Sequence, residues 1–316
     1  MGLLSLIRAA VLAGATFVSL HAWTSERAIR LMVPTPAGTS ADVMARILAE
    51  HMGGTLGVPI VVENKPGASG AIAVESVLQP GGTRPALLVA GLDHIVYGPA
   101  ALGRKPWDPV TDLKPVGLVN NDRWIVIGHP ASAGDMAGLL RTAKERPLLC
   151  ANGGLGTTQH AVCALVAKRL GVRVEHVPYN QSFLPDLIAG RVDLAAVPLP
   201  GAAAALGGGR VKGVMLLSQE RHPAFAGIPT GTELLQRGPV FESGLAMYAA
   251  PGMTDAEVER LHDALQRAQS DEAVRKRLAD LGVEPAPASR LETLRQLRMR
   301  IRLNEEIRQE ALGAAR

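Results

Sequence analysis

The chain has 316 residues, of which 47% are hydrophobic and 20% are charged, so it is long enough for two globular domains with large cores. Its formal net charge is only +4 and aromatic residues make up 3%, which argues against a nucleic-acid-binding surface. The basic residues are scattered except for a run at 290–302, which is typical of the solvent-facing side of a helix.

An export signal is the first predicted element. Residues 1–22, MGLLSLIRAAVLAGATFVSLHA, form an apolar stretch that carries one cation, Arg8, and ends near small residues. A buried or membrane-anchoring helix is the alternative for this stretch. The cleavage position stays open, because a cut after Ala22 would leave Leu20 where a small residue is usual. We expect a periplasmic protein whose later segments are too polar to span a bilayer.

From residue 28 onward, apolar runs alternate with segments of helical periodicity. The first series reads AIRLMVP, MARILAEHMGG, PIVVEN and ALLVAG, and the second reads PLLCA, TQHAVCALVAKRLG, VRVEHVPY, FLPDLIAG and RVDLAAVPL. This alternation predicts βαβ units and mainly parallel sheets. The fold class is therefore α/β, and the two series indicate two lobes.

A proline-rich connector, residues 103–130, separates the two series. In it the apolar segments PVGLV and WIVIG flank the polar NNDR, which predicts a strand that leaves one lobe and enters the other. GLAMYAAPG at 244–252 is the expected return crossing, and helices with capping boxes follow it. The predicted lobes are 27–121 with 247–316, and 122–246, so the C-terminal helices belong to the first lobe.

The two cysteines are predicted to remain free thiols. Cys150 ends a predicted strand and Cys163 lies about two turns into the next helix, which places their Cα atoms beyond the reach of a disulfide. His160 and Cys163 have no further partners at zinc-site spacing, so no metal site is expected.

Two turns rich in glycine and hydroxyl residues precede helices, one in each series. Residues 33–43 read VPTPAGTSADV and residues 148–160 read LLCANGGLGTTQH. A strand that feeds such a turn and a helix directs free N–H groups and the positive end of the helix dipole at one point, which suits a carboxylate or a phosphate. Ordinary helix capping explains either turn alone, so a purely structural role stays open.

Enzyme motifs are not found. The run at 153–158 lacks the third glycine of a dinucleotide fingerprint and the Gly-Lys-Ser/Thr of a P-loop, and GASGA is not a nucleophile elbow. No cofactor is therefore expected. Asp93 and His94 follow the strand ALLVAG without a marked nucleophile, and we interpret them as residues that line a loop or a cleft.

Several segments together resemble the periplasmic receptors of tripartite tricarboxylate transporters, also called Bug receptors. They are IRLMVPTPAGTSADVMARILAEHMGGTLGVPIVVENKPGASGAIAVESV, WDPVTDLKPVGLV, LLCANGGLGTTQH, VEHVPYNQS and LIAGRVDL, in this order. The pair VENKPGASG and AGRVDL is quite specific. The resemblance implies a two-lobed periplasmic binding-protein fold, similar to type II, with a mainly parallel sheet and flanking helices in each lobe and two strands that cross between the lobes.

The resemblance also implies a function without catalysis. Such a receptor closes on a small organic acid and delivers it to membrane transporter subunits. It binds the ligand through amides, hydroxyls and waters of the two turns. The expected ligand-binding residues are Gly38, Thr39, Ser40, Asp42, Asn152, Gly156, Thr157 and Thr158, with Asp93, His94, Tyr179 and Asn180 at the sides. For Tyr179 the alternative is a partly buried ring with a satisfied hydroxyl.

The chain departs from the family pattern around the expected pocket. Thr39 replaces a second glycine, residues 91–94 replace serine or threonine, residues 180–181 replace a lysine and a glycine, and Val197 and Pro198 replace a polar pair. The loss of polar partners and the gain of Asp93 predict a ligand that is less anionic or more apolar than a dicarboxylate.

Two alternative functions share this fold. One is a sensory or partner-binding protein whose cleft regulates contact with a membrane sensor or kinase. The other is an enzyme in which Asp93 and His94 act as an acid/base pair.

Overall fold

The computed structural model describes residues 28–79, 85–154, 157–179, 181–235 and 240–312. The predicted export signal lies outside these residues. The strands are β1 (Ile29–Val33), β2 (Ile60–Asn64), β3 (Ala86–Ala90), β4 (Lys114–Leu118), β5 (Asn120–Gly128), β6 (Leu148–Asn152), β7 (Val174–Pro178), β8 (Leu194–Pro198), β9 (Lys212–Leu216), β10 (Glu242–Ser243), β11 (Ala246–Ala249) and β12 (Glu284–Pro285).

Helices alternate with these strands, as the periodicity predicts. They are α1 (Ser40–Leu56), α2 (Ala71–Leu78), α3 (Gly98–Ala101), α4 (Pro130–Ala133), α5 (Met136–Glu145), α6 (Thr158–Leu170), α7 (Leu184–Ile188), α8 (Leu199–Gly207), α9 (Gly231–Leu234), α10 (Asp255–Ser270), α11 (Glu272–Ala279) and α12 (Arg290–Leu312). Short 3₁₀ turns lie at Ala68–Gly70 and Pro223–Phe225, and a π-helical turn lies at Asp93–Tyr97.

The first sheet has the strand order β2-β1-β3-β11-β4. β1 pairs in parallel with β2 and β3, whereas β11 is antiparallel to β3 and β4. One face packs against α1, α10 and α11 through buried residues such as Leu48 and Leu261, and the other face packs against α2 through residues such as Leu88 and Val74. Burial on both faces explains why β3 reads as the continuous apolar run ALLVA.

A second mixed sheet is built around β5. β6 pairs in parallel with β7 and β8, and β5 is antiparallel to β8 and β9. Its core includes Trp124, whose ring meets Phe241 edge to face at a centroid distance of 4.9 Å. The polar NNDR segment belongs to β5 itself and pairs there with the short strands β10 and β12.

The crossings lie where the sequence predicts them. β5 leaves the first sheet after β4, and the chain returns from β10 into β11. Asn120 is fully buried at this point and holds the two passages together. Its amide group donates to Asp122 at 2.6 Å and accepts the N–H of Leu245 at 2.8 Å, so its side chain joins the outgoing strand to the returning one.

The long C-terminal helix α12 packs on both sheets. Leu297 belongs to the core of the first sheet and Ile307 to the core of the second. Near its end, Glu310 pairs with Arg169 of α6 at 2.7 Å. We propose the lobe division 27–121 with 247–316, and 122–246, in which α12 starts on the first lobe and extends over the second.

Cys150 and Cys163 form a disulfide, so the prediction of two free thiols is wrong. Their Cα atoms are 6.6 Å apart, within the distance that a disulfide spans. The sequence estimate placed α6 too far from its preceding strand. The helix returns over β6 after a short turn, which brings its second turn back to the end of that strand.

The disulfide leads to a stability prediction. The Cys150→Ser/Cys163→Ser variant should lose about 3 kcal/mol of unfolding free energy, because the bond closes a short loop in the unfolded chain. Urea unfolding of both proteins, with and without reductant, measures this. Reductant should destabilise the wild type and leave the double variant unchanged; wild-type curves that coincide under both conditions would contradict the bond.

Candidate functional site

A cavity of about 160 Å³ lies between the two sheets. It lies at the carboxyl ends of β1, β3 and β8, which is where open α/β sheets bind ligands. Its lining comes from α1 (Ser40, Ala41, Met44), the turn after β3 (Gly91, Leu92, Asp93, His94), β5 (Asp122, Trp124), the turn after β8 (Pro198, Pro200), the return crossing (Ser243, Gly244, Leu245) and α12 (Leu297, Arg300, Asn304).

The turn before α1 is closed by its own side chains. Thr39 caps the helix by accepting the N–H of Asp42, and its hydroxyl donates to the Pro36 carbonyl at 2.9 Å. Gly38 has φ +83°, a conformation that favours glycine, and its N–H donates to the Asp42 carboxylate at 2.8 Å. Of this turn, Ser40 reaches the cavity lining.

Asp42 is a structural carboxylate that is 2% exposed. It accepts hydrogen bonds from Asn64 at 2.8 Å and from Arg46 at 3.1 Å. Burial alone would raise the pKa of Asp42, but the bonds from Arg46, Gly38 and Asn64 outweigh burial and lower it. Asn64, from the VENKPGASG segment, therefore fixes the turn that precedes α1.

The GASG part of the same segment supports the turn that carries Asp93 and His94. Gly70 has φ +97°, and a Cβ at this position would overlap the His94 side chain. The backbone of Ser69 is left-handed as well, with φ 51°. His94 Nδ1 is buried and accepts or donates no hydrogen bond within the described residues. Burial lowers the pKa of His94 although Asp93 raises it, so a neutral imidazole lines the cavity.

In front of α6, Thr157 has the same capping role that Thr39 has in front of α1. Thr157 caps the helix by accepting the N–H of His160, and its hydroxyl donates to the Gly154 carbonyl at 2.7 Å. Asn152 accepts the Gly154 N–H at 2.9 Å. Both side chains thus hold the turn rather than lining the cavity.

Among the predicted site residues, Thr158 makes a hydrogen bond between the two sheets. Its hydroxyl, at the start of α6 in the second sheet, donates to the Asp93 carboxylate, which follows β3 in the first sheet. Thr158 is buried and Asp93 is partly exposed, so the bond itself is partly buried. It joins the two units directly beside the cavity that Asp93 lines.

Tyr179 corresponds to the alternative considered for it, a partly buried ring with a satisfied hydroxyl. The hydroxyl donates to Asp186 at 2.8 Å, and the ring lies 6.2 Å from that of Phe183. Gly156 and Asn180 lie outside the described residues. Among the predicted residues that the structure describes, it brings Ser40, Asp93 and His94 together in the cavity, with Thr158 bonded to Asp93.

Charged residues that were not predicted for the site complete the cavity. Arg300 is 6% exposed and donates to the side chain of Asn121. Asp122 accepts the amide of Asn120. Burial raises the pKa of Asp122 to about 6, and Asp93 contributes to the rise, while Asn120 and Arg300 oppose it. Two acidic groups and one basic group therefore line the cavity beside the neutral His94.

Arg300 is the exception to the interpretation of residues 290–302 as a solvent-facing run, since Arg295, Arg298 and Arg302 are exposed. It belongs to a buried stripe of α12, which consists of Thr293, Leu297, Arg300, Asn304 and Ile307. This spacing of three and four residues could have indicated an inward position, because the apolar residues Leu297 and Ile307 flank Arg300 and Asn304 in the stripe. The indication for Asp122 was weaker, since it is a carboxylate inside a predicted crossing strand.

Within the described residues, no group of three or more metal-ligating side chains is found. The same part of the chain contains no helix long and apolar enough to cross a membrane.

The family model of the tripartite tricarboxylate transporter family receptor matches residues 44–311. A UPF0065 protein of Pseudomonas sp. strain P51 is 31% identical, over 82% of this chain and 79% of its own length. Protein BugT of Bordetella pertussis is 28% identical, over 83% of this chain and 82% of its own length.

Solved structures are similar over almost their whole lengths. R. palustris Rpa4515 with adipate has a TM-score of 0.81 at 25% identity, over 92% of this chain and 98% of its own. MatC of Rhodopseudomonas palustris with bound malate has a TM-score of 0.78 at 26% identity, over 89% of this chain and 99% of its own. The periplasmic binding protein BugD has a TM-score of 0.77 at 27% identity, over 90% of this chain and 98% of its own. The predicted two-sheet binding-protein fold is confirmed.

Asp122 leads to a prediction about pH. Its raised pKa means that the folded protein binds this proton more tightly than the unfolded chain, so the stabilisation is present below pH 4 and is lost as the pH rises through 6. The Asp122→Asn variant has no carboxyl group at this position, so it does not lose stability as the pH rises through 6. Relative to the wild type, the variant should gain about 2 kcal/mol of unfolding free energy between pH 4 and pH 7.

Denaturant unfolding at the two pH values measures this difference. Asp263→Asn makes the same chemical change on the exposed face of α10 and serves as the matched control. A difference between Asp122→Asn and the wild type that stays constant from pH 4 to pH 7 would contradict the burial of this carboxylate.

Proposed function

Because the chain belongs to the receptor family of tripartite tricarboxylate transporters, we propose that it binds a small carboxylate in the cavity between its two lobes. The family consists of solute-binding receptors, so the predicted receptor class is confirmed and the alternative of an acid/base enzyme is not supported. The cavity supports this proposal most strongly, since Ser40 and His94, which follow strands of the first sheet, line it together with Arg300 of α12.

The solved relatives support the ligand class. Rpa4515 was solved with adipate and MatC with malate, and both compounds are small carboxylates. For this chain the cavity of about 160 Å³ fits a compound of similarly modest size. Arg300 provides a planar guanidinium that can pair with a carboxylate through two parallel hydrogen bonds.

We assign two kinds of role to the predicted site residues. Ser40, Asp93 and His94 contact the ligand directly, and Arg300 joins them. The other predicted residues that the structure describes hold the two turns and the sides of the cavity in place; they are Gly38, Thr39, Asp42, Asn152, Thr157, Thr158 and Tyr179. Gly156 and Asn180 keep the ligand-binding role predicted from the sequence.

Closure follows from the connections between the lobes. The lobes rotate about the crossing strands, which Asn120 ties together, and only a few residues need to change their backbone angles. The bond from Thr158 to Asp93 forms when the lobes meet and shields the ligand from water.

Export by residues 1–22 would bring the receptor to the periplasm, where it delivers its ligand to the membrane subunits of a tripartite transporter. The remaining alternative is that the protein regulates a membrane sensor instead of supplying a transporter. In that case, the ligand would promote binding to a membrane sensor and would not be transported.

Thermal unfolding against a panel of mono- and dicarboxylates tests the receptor proposal. A compound at 100 times its dissociation constant should add about 2.7 kcal/mol of stability and raise the midpoint by about 4–5 °C. No shift with any carboxylate would contradict the proposal.

Thr158→Val should weaken ligand binding about tenfold, because it removes a hydrogen bond to a carboxylate that forms on closure. Thr142→Val is the matched control; its hydroxyl donates to the Ser132 carbonyl at 2.6 Å on the outer side of the second lobe. Calorimetric titration of both variants measures the effect. Equal weakening by the two substitutions would show that Thr158 has no specific role in closure.

A further inference from the structure

The protein's own carboxylates occupy both turns that were predicted to bind an anion. Asp42 accepts the Gly38 N–H in front of α1, and Asp93 accepts the Thr158 hydroxyl at the start of α6. A ligand carboxylate at either turn would have to displace one of these carboxylates or lie against it. The favourable position for an incoming carboxylate is therefore elsewhere in the cavity.

The charges that line the cavity are unequal. Asp93 and Asp122 are the acidic groups and Arg300 is the basic group among the lining residues that the structure describes. The two acids lie close enough that Asp93 raises the pKa of Asp122. A dicarboxylate would bring two more negative charges to one guanidinium, and the repulsion from both acids would have no compensation.

We propose that this cavity selects a small carboxylate that also carries a cationic nitrogen, with Arg300 pairing with the carboxylate and Asp93 and Asp122 pairing with the nitrogen. This inference rests on the proposed receptor function and specifies its ligand class. A zwitterion adds no net charge to the site and gives an opposite charge to each charged group that lines it.

Arg300 is positioned for this role by the buried stripe of α12. Asn304 donates to the Arg300 carbonyl at 2.8 Å, one turn further along the helix. The guanidinium donates to Asn121 and lowers the pKa of Asp122, so it lies between the crossing strand and the cavity. Its planar group presents N–H donors in a fixed geometry that suits a carboxylate.

Asp122 and His94 provide further polar contacts for the ligand. Asp122 is fixed by the Asn120 amide, and a carboxylate has acceptor sites beyond that one bond. His94 adds a buried ring nitrogen that has no hydrogen-bond partner within the described residues, so a ligand N–H or carboxylate can satisfy it. Met44, Leu92 and Leu297 form the apolar parts of the wall, and they limit the size of the ligand.

Calorimetric titration with probes matched in chain length tests the selection. The zwitterions are β-alanine, 4-aminobutyrate, 5-aminopentanoate and the common α-amino acids. The dicarboxylates are malonate, succinate and glutarate, the monocarboxylates are propanoate, butyrate and pentanoate, and the diamine is 1,4-diaminobutane. The tightest probe should be a zwitterion, bound at least about tenfold more tightly than its matched dicarboxylate.

Substitutions identify the residues responsible. Asp93→Asn and Asp122→Asn each should reduce the ratio of zwitterion to dicarboxylate affinity at least about tenfold, because each removes a negative charge and keeps an acceptor oxygen. Asp263→Asn is the control with unchanged preference. Arg300→Gln should weaken every carboxylate. The affinity ratio measured on protein with a normal unfolding transition separates selectivity from folding defects.

The outcomes distinguish this inference from the receptor proposal on which it rests. If a dicarboxylate, a monocarboxylate or the diamine binds most tightly, or if both Asp→Asn variants keep the wild-type ratio, the selection of zwitterions is overturned; binding of a carboxylate would still support a receptor. If no probe binds, both the inference and the proposed function are overturned.

Discussion

The hydrogen bond from Thr158 to Asp93 is the contact on which the site depends, because it joins the second sheet to a residue of the first that lines the cavity. Each partner is held by a framework within its own lobe. Asp93 follows β3 on a turn that packs against Gly70, and Thr158 begins a helix that a disulfide attaches to β6. Because both frameworks are fixed, we propose that closure about the crossing strands brings these two side chains together.

Much of the fold could be predicted from the sequence, because its signals are local. Periodicity indicated the βαβ series, and the capping box of Thr254 with Glu257 is present in the structure. The two most specific segments turn out to have structural roles. Asn64 of VENKPGASG fixes the turn before α1, and Asp193 of AGRVDL accepts two bonds from Arg146, at 2.6 and 2.7 Å. Such residues specify the scaffold and carry little information about the ligand.

The remaining features depend on long-range packing, which sequence patterns do not specify. To predict the disulfide, one would need the distance between α6 and β6. To predict the charge balance of the cavity, one would need to know that Arg300 contacts Asn121 of the crossing strand, 179 positions away in the sequence. The glycine-rich turns show a further limit. Their composition correctly indicated helix N-termini, but it could not show that Asp42 and Asp93 would accept bonds from these turns.

A crystal structure of the protein with its tightest-binding carboxylate would test the central claim most directly. The account predicts that the ligand lies between the two sheets, with its carboxylate oxygens about 2.7–2.9 Å from the guanidinium nitrogens of Arg300 and with Asp93 and Asp122 on its other side. A ligand bound outside this cavity, or bound within it without contact to Arg300, would contradict the account.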